Sequence, residues 1–351
     1  MPHISEIDPN FAVESKTSRT DARFFDLKRH PEFLFGVQFD EQNFFRMPRA
    51  LAESIGAGVQ SLNLNPSGGR IRFMTDSPYV ILQARMPRDY CFSHMPATGV
   101  SGFDLYADGV YYATFVPPAT VMEGGYERTV EFKGHPRAMR EILIHMPLYN
   151  YVSEVYIGLA DGSLVEVAPA YRHERPVVFY GSSITQGGCV SRPGLAYPSH
   201  LSRWLDTDIV NLGFSGNGKG EPSIAEHIAS LDPSVFVLDY DHNAPNVEHL
   251  RATHEAFFKT FRALRPDTPV IMLSSPDSRF RSSWAGRREV IETTYRNALA
   301  AGDQNVAFID GRTLWGDEDF DSCTVDNCHP NDLGHYRMAK TVAPVLKQYL
   351  K

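Results

Sequence analysis

From residue 175 onward the chain alternates between two rhythms. Short, nearly continuous apolar runs (PVVFYG, DIVNLGF, SVFVLDYD, PVIMLSS and NVAFIDG) are separated by longer segments whose apolar residues recur every three to four positions (GLAYPSHLSRWL, SIAEHIASL, NVEHLRATHEAFFKTFRAL and GRREVIETTYRNALAAG). A last segment of the second kind, DLGHYRMAKTVAPVLKQYL, closes the chain. Apolar runs of strand length are buried on both faces, so they predict a parallel sheet between helical layers. With right-handed crossovers this becomes a three-layer α/β/α domain on a five-stranded sheet. Ligands meet such sheets at the carboxyl ends of the strands.

Residues 21–170 follow a different pattern. RIRFMTDSPYVILQARMP holds alternating and β-branched stretches around a polar turn, and SGFDLYADGVYYATFVPP reads as a hairpin about Asp108-Gly109. REILIHMPLYNYVSEVYIGL adds two or three more strands, and helical periodicity is confined to a short turn near PRALAESI. Many short strands at close spacing predict a β-sandwich. The expected organisation is an extension over 1–20, a β-sandwich over 21–170, a linker near 168–176 and an α/β/α domain over 175–351.

Composition narrows the function classes. The chain has 351 residues, 42% hydrophobic and 22% charged, with a formal net charge of −8. It can bury a sizeable core and has no basic excess to bind nucleic acid. No stretch approaches the roughly 18 apolar residues of a membrane span. The start, MPHISEIDPNFAVESKTSRT, has no basic-then-apolar leader, and Cys91, Cys189, Cys323 and Cys328 form no CxxC pair. A cytoplasmic protein without a disulfide framework is expected, with Cys323 and Cys328 as free thiols near enough to bridge if oxidised. No His/Asp/Glu set has metal-ligand spacing, so neither a metal nor another cofactor is expected.

The strand ends carry the chemistry. The first gives Gly181-Ser182-Ser183, the second Gly213-Phe214-Ser215-Gly216-Asn217-Gly218, and the third Asp241-His242-Asn243. Asp326 and His329 stand just before the final helix. Alone, the first turn does not distinguish an ordinary bend from a nucleophile site, nor one serine from the other. Together the groups make a parts list for acyl transfer: a hydroxyl, an imidazole to take its proton, a carboxylate to orient the imidazole, and donors for an oxyanion.

In this order, GSSIT, NLGFSGNG, DHN and DNCH resemble the four blocks of the SGNH hydrolases, or GDSL-type esterases, over roughly residues 175–350. The resemblance implies Ser183 as nucleophile, His329 as base and Asp326 as its partner. Ser183 N–H, Gly216 N–H and the Asn243 amide would form the oxyanion hole, with Gly218 as the alternative to Gly216. Two positions depart from the family pattern. Ser182 stands where aspartate is usual and is expected to cap a helix or turn, and Asp241-His242-Asn243-Ala244 replaces the usual Gly-x-Asn-Asp. Gly102-Phe103-Asp104-Leu105-Tyr106 similarly resembles the GxDLY motif of a β-rich domain that precedes some SGNH hydrolases, and Asp104 and Tyr106 are expected to pin a turn or the interdomain contact. Asp241, His242, Arg279 and Trp284 are candidate substrate contacts near the active edge, and His335 is expected to lie on a helix face.

The expected function is hydrolysis of carboxylic esters through an acyl-enzyme, with a short acyl group such as acetyl on a carbohydrate or similar alcohol. An acyltransferase or thioesterase would use the same groups, whereas a non-catalytic carbohydrate-binding protein would not need the Ser183/Asp326/His329 set. A small-molecule or carbohydrate ester is the expected partner, without nucleic acid or membrane; self-association into a homo-oligomer is compatible with the sequence.

Overall fold

The computed structural model describes residues 19–88, 90–118, 124–276 and 284–350. The N-terminal part is two antiparallel sheets face to face. One has strands β1 (Ala22–Asp26), β6 (Tyr79–Arg85), β9 (Tyr126–Glu131) and β11 (Glu154–Ala160) in the order β1-β11-β6-β9. The other has β5 (Arg70–Thr75), β7 (Phe103–Ala107), β8 (Val110–Phe115), β10 (Arg140–His145) and β12 (Val165–Val167) in the order β12-β5-β10-β7-β8, with the short β2 (Leu34–Phe35) also on β5. A small hairpin pairs β3 (Gln38–Phe39) with β4 (Phe44–Phe45). The β7–β8 connection is the expected Asp-Gly turn, with φ of 51° at Asp108 and 77° at Gly109.

Period-two alternation organises the second sheet. Ile71 and Phe73 on β5, Phe103 and Leu105 on β7, and Ile142 and Ile144 on β10 fill the core between the sheets. The intervening residues face the other way, yet many are also buried: Arg70, Arg72, Asp104, Tyr106 and His145. This second face is covered by the C-terminal domain. Strand register puts Arg70, His145 and Asp104 in one row across three strands. From that row Arg70 donates to Ile209 O at 3.1 Å and pairs with Asp208.

The C-terminal part is the α/β/α domain. Strands β13 (His173–Gly181), β14 (Thr207–Gly213), β15 (Val235–Asp239), β16 (Val270–Leu273) and β17 (Val306–Ile309) form a parallel sheet in the order β14-β13-β15-β16-β17. Apolar clusters on both faces, such as Val178/Leu212/Phe236 and Val177/Phe179/Ile271, explain why these strands read as unbroken apolar runs.

Helices α1 (Arg49–Ile55), α2 (Ala57–Asn63) and α3 (Ala97–Val100) belong to the N-terminal part by sequence. The short turn expected near PRALAESI is therefore two helices broken at Gly56, whose φ is 146°. Met47, Ala52 and Val59 share one buried apolar cluster with Val178, Leu212 and Ile224 of the α/β/α domain. Helices α4 (Ser183–Gln186), α5 (Tyr197–Leu205), α6 (Pro222–Ser230), α7 (Val247–Leu264), α8 (Ala285–Ala300) and α9 (Asp332–Tyr349) follow, each of the last five on a segment with helical spacing. Among the described residues no helix is long and apolar enough to cross a membrane.

Candidate active site

Strand β13 ends where Gly181 presses against its neighbours. A Cβ there would lie 1.9 Å from Thr185 Oγ1 and 2.4 Å from Asp239 O, so a side chain cannot fit. Ser182 follows as the N-cap of α4, its Oγ accepting from Ile184 N at 3.2 Å. Ser183 is then the first helical residue, 8% exposed, where a backbone N–H has no partner within the helix. Tyr149 of the N-terminal domain donates its hydroxyl to Ser183 O at 3.1 Å.

Ser183 Oγ lies 2.9 Å from His329 Nε2, and His329 Nδ1 lies 2.7 Å from Asp326 Oδ2. The loop Thr324–Pro330 holds these two groups. Asp326 Oδ1 accepts from the backbone N–H of His329 at 2.7 Å and of Cys328 at 3.0 Å, while Thr324 Oγ1 donates to His329 O at 2.9 Å. Partial burial works against the charged form of Asp326, but the bonds from the His329 ring and backbone together outweigh it and hold this carboxyl below its usual range. The carboxylate is therefore ionised at neutral pH and fixes a proton on Nδ1, which leaves Nε2 as the acceptor facing Ser183.

Gly216 and Asn243 meet on the other side. Gly216 N–H donates to Asn243 Oδ1 at 3.0 Å, and Asn243 Nδ2 donates to Phe214 O at 2.8 Å. These bonds fix which way the amide points and use one of its two N–H groups. Gly216 has φ of +68°, and nothing lies within 4 Å of where its Cβ would be, so the requirement for glycine is conformational and the space beside it is open. Gly218 packs against the Gly181 carbonyl, where a Cβ would come within 2.7 Å.

The remaining candidates separate. Asp241 is 1% exposed and its Oδ2 accepts from Ser275 N at 3.0 Å and Ser275 Oγ at 2.6 Å, a bond within the loops at this edge of the sheet. His242 turns inward as well, its ring 4.7 Å from Trp284 and its Nδ1 3.1 Å from Ser275 Oγ. Trp284 is half-buried, with the Arg287 guanidinium 4.5 Å over its ring. Arg279 lies outside the described residues. His335 lies on the buried face of α9; its Nδ1 accepts from Tyr197 N at 3.2 Å and its Nε2 donates to Gly188 O at 3.1 Å. Cys323 and Cys328 are both free thiols.

Some residues around the site carry no local sequence signal. Arg46 is fully buried, donates to Asn211 O at 3.1 Å, Gly213 O at 2.5 Å and Leu62 O at 2.7 Å, and stacks 4.4 Å from the Phe214 ring. Burial pushes its pKa down to about 9. It ties the N-terminal domain to the strand end that leads into the Gly216 loop. His94, also from the N-terminal domain, sets its ring edge-on to His329 with centroids 5.5 Å apart. Neither a lone arginine nor a lone histidine at these positions stands out without the fold.

Beneath the Ser182–Ser183 turn, Asp239 Oδ2 accepts from Thr185 Oγ1 at 2.8 Å and Tyr197 OH at 2.9 Å. Burial, with the nearby Asp241 charge, raises its pKa to about 7. In the unfolded chain an aspartate titrates at about 3.9. Between these values the folded protein keeps a proton that the unfolded chain has released, so this group's contribution to stability falls as pH rises from about 4 towards 7. Asp239→Asn is expected to remove that fall and to gain most, relative to wild type, at and above neutral pH. Urea unfolding of both proteins from pH 4 to 8 checks this; parallel stability profiles would contradict it.

Family models match both halves of the chain. Residues 174–347 match the GDSL-like lipase/acylhydrolase family, and residues 22–165 match the N-terminal GxDLY domain of SGNH hydrolase-type esterases. The chain belongs to the SGNH hydrolases. Its class is that of the carboxylic ester hydrolases.

A Bacteroides ovatus protein described as a GDSL-like lipase is 28% identical to this SGNH hydrolase, over 94% of this chain and 98% of that one, with a TM-score of 0.83. The salicylyl-acyltransferase of a tetracycline biosynthetic pathway shares the fold at 20% identity, covering 95% of this chain and 100% of its own, with a TM-score of 0.76. So does an acetyl xylan esterase from the rumen bacterium Butyrivibrio proteoclasticus, at 13% identity, coverage of 94% and 99%, and a TM-score of 0.60. No curated protein shows significant sequence similarity to the chain.

Proposed function

We propose that this SGNH hydrolase cleaves short-chain carboxylic esters, acetyl esters of a carbohydrate or similar alcohol, through a Ser183 acyl-enzyme. The observation that carries the reading is the continuous relay Ser183 Oγ, His329 Nε2, His329 Nδ1, Asp326 Oδ2, with both links under 3 Å. His329 takes the Ser183 proton as Oγ attacks the ester carbonyl, then delivers it to the leaving alcohol. A water, deprotonated by the same Nε2, releases the acid and restores the serine. Asp326 holds the imidazole tautomer and balances its charge after protonation. Ser183 N–H and the second N–H of Asn243 stabilise the oxyanion; Gly216 N–H joins them by sharing its hydrogen between Asn243 Oδ1 and the developing charge. Each such donor is worth about 3–4 kcal/mol of barrier.

The short-acyl preference draws on the buried apolar cluster of Met95, Val100, Leu148, Tyr149, Cys189, Val190 and Ala196, which the Tyr149 hydroxyl joins to Ser183 O. The acetyl xylan esterase among the structural relatives accords with it. A series of p-nitrophenyl esters tests the preference: acetate is expected to exceed decanoate in kcat/KM by at least about tenfold, since each methylene that fails to fit costs 1 kcal/mol or more. Faster turnover of the long chain would overturn the acetyl assignment.

A second reading has one specific observation in its favour. The two-domain likeness extends over the whole length of an acyltransferase, and the same acyl-enzyme could pass its acyl group to an alcohol. Ester formation outpacing acid release when an acceptor alcohol is added would select transfer over hydrolysis.

A further inference from the structure

His94 and Cys189 come to the site from different domains. His94 stands in the turn that brings Phe92 against Met95, ahead of α3, and is exposed. Cys189 follows α4, is 5% exposed, and is anchored by its backbone N–H to Pro330 O at 2.8 Å, one residue beyond His329. A nitrogen of His94, the Cys189 Sγ and a nitrogen of His329 all lie within 4.8 Å of one another. His329 Nδ1 is committed to Asp326, so the nitrogen with a lone pair to share is Nε2.

We infer that His94, Cys189 and His329 form an inhibitory site for a borderline-soft divalent cation, zinc being the ion that suits two imidazoles and a thiolate. Zinc binds nitrogen at about 2.0–2.1 Å and sulfur at about 2.3 Å in a tetrahedron, with a water or a hydroxyl in the remaining position. Ligand atoms of the three residues already lie within 4.8 Å of one another, and a tetrahedral site with those bond lengths spaces them about 3.3–3.6 Å apart. The exposed His94 can make the remaining movement, while Cys189 and His329 are held. Asp326 on the far nitrogen of His329 supplies the carboxylate–histidine arrangement that orients and strengthens metal-bound imidazoles. Cys189 packs in an apolar cluster with Met95, Leu148, Tyr149 and Val190 that holds its side chain in place.

Coordination replaces the thiol proton of Cys189, which leaves to solvent, by a zinc–sulfur bond. It also occupies the Nε2 lone pair that must receive the Ser183 proton. On the proposed hydrolase reading, the ion and the acyl transfer exclude one another, and a chelator reverses the block. Sequence spacing gives no hint of this site, because its three ligands stand at positions 94, 189 and 329.

Cobalt(II) reads the site without reference to activity, since a thiolate ligand gives it an intense near-ultraviolet charge-transfer band. Wild-type protein is expected to gain that band, saturating at one equivalent. Cys189→Ala should lose it and Cys328→Ser should keep it. In parallel, zinc should inhibit wild-type ester hydrolysis, with full recovery on adding EDTA, and half-inhibition should require at least tenfold more zinc in His94→Ala and in Cys189→Ala. The site is refuted if wild type gives no cobalt–thiolate band or if the band depends on Cys328 instead of Cys189. Identical zinc curves for wild type and both variants would refute the inhibitory role. Because the cobalt band is independent of turnover, failure of the hydrolase assignment and failure of the metal site remain distinguishable.

Discussion

Ser183→Ala is expected to lower kcat for p-nitrophenyl acetate by roughly 10⁴- to 10⁶-fold, the range seen when a nucleophile that acts as one unit with its base is removed. The variant should fold normally, because the Ser183 hydroxyl bonds only His329 Nε2 among the described residues, while the capping bond of α4 comes from Ser182. KM should change little, since the hydroxyl contributes to bond making and not to holding the ester. His329→Ala should cost about as much, and the double variant little more than either. A fall of less than about a hundredfold in Ser183→Ala with unchanged stability would place the nucleophile elsewhere.

The second large effect falls on stability. Asp104→Ala is expected to destabilise the protein by about 3 kcal/mol, the lower end for breaking a buried ion pair. Asp104 has no exposed surface; its carboxylate accepts from Arg192 Nη1 at 2.5 Å and from Gly194 N at 3.0 Å. Tyr106, two residues on and therefore on the same face of β7, accepts from the same Arg192 nitrogen at 2.7 Å. The Arg203 guanidinium completes the seam, 3.0 Å from His145 Nε2 and 4.2 Å from the Tyr106 ring centre. Burial is costly for the Asp104 charge and outweighs the pull of Arg192 and Arg203, so its pKa rises. The lower end of the range applies because the Arg192 side chain keeps 18% exposure and can recover some hydration. Asp104→Asn, which leaves Gly194 an acceptor, should lose less. Urea unfolding measures both, and a loss below about 1 kcal/mol in Asp104→Ala would show that the seam does not hold the domains together.

This seam explains what could and could not be read from the sequence. The β/α half was legible because each strand is apolar on both faces and each long helix on one, so local patterning and final environment agree. Ser183, Gly216, Asn243, Asp326 and His329 were singled out by the resemblance of their four blocks to those of the SGNH hydrolases, and the fold brings them to one edge of the parallel sheet. In the N-terminal half the alternation correctly gave strands, but it cannot say what the polar face touches. Nothing in the alternation of this stretch marks Arg70, Arg72 and His145 as buried, and all three are. Only the GxDLY resemblance singled out Asp104 and Tyr106.

Division of the chain into two textures also hides a shared core. Met47, Ala52 and Val59 lie within the stretch that reads as β-rich, yet they pack with Leu212 and Ile224. Arg46 beside them has no carboxylate to announce it, because its partners are backbone carbonyls. Asp241 and His242 pose the converse problem. A strand end at the active edge carries both outward groups and the inward groups that brace it, and one-dimensional spacing does not separate them. The 3-10 turn Asp241–Asn243 sends Asn243 to Gly216 and Asp241 to Ser275.

The most direct measurement is covalent labelling of the folded wild-type protein with a fluorophosphonate, read by intact mass and peptide mapping. The proposed relay predicts one adduct per chain, on Ser183, absent from Ser183→Ala and strongly slowed in His329→Ala. No adduct, or an adduct on any other serine, would contradict it.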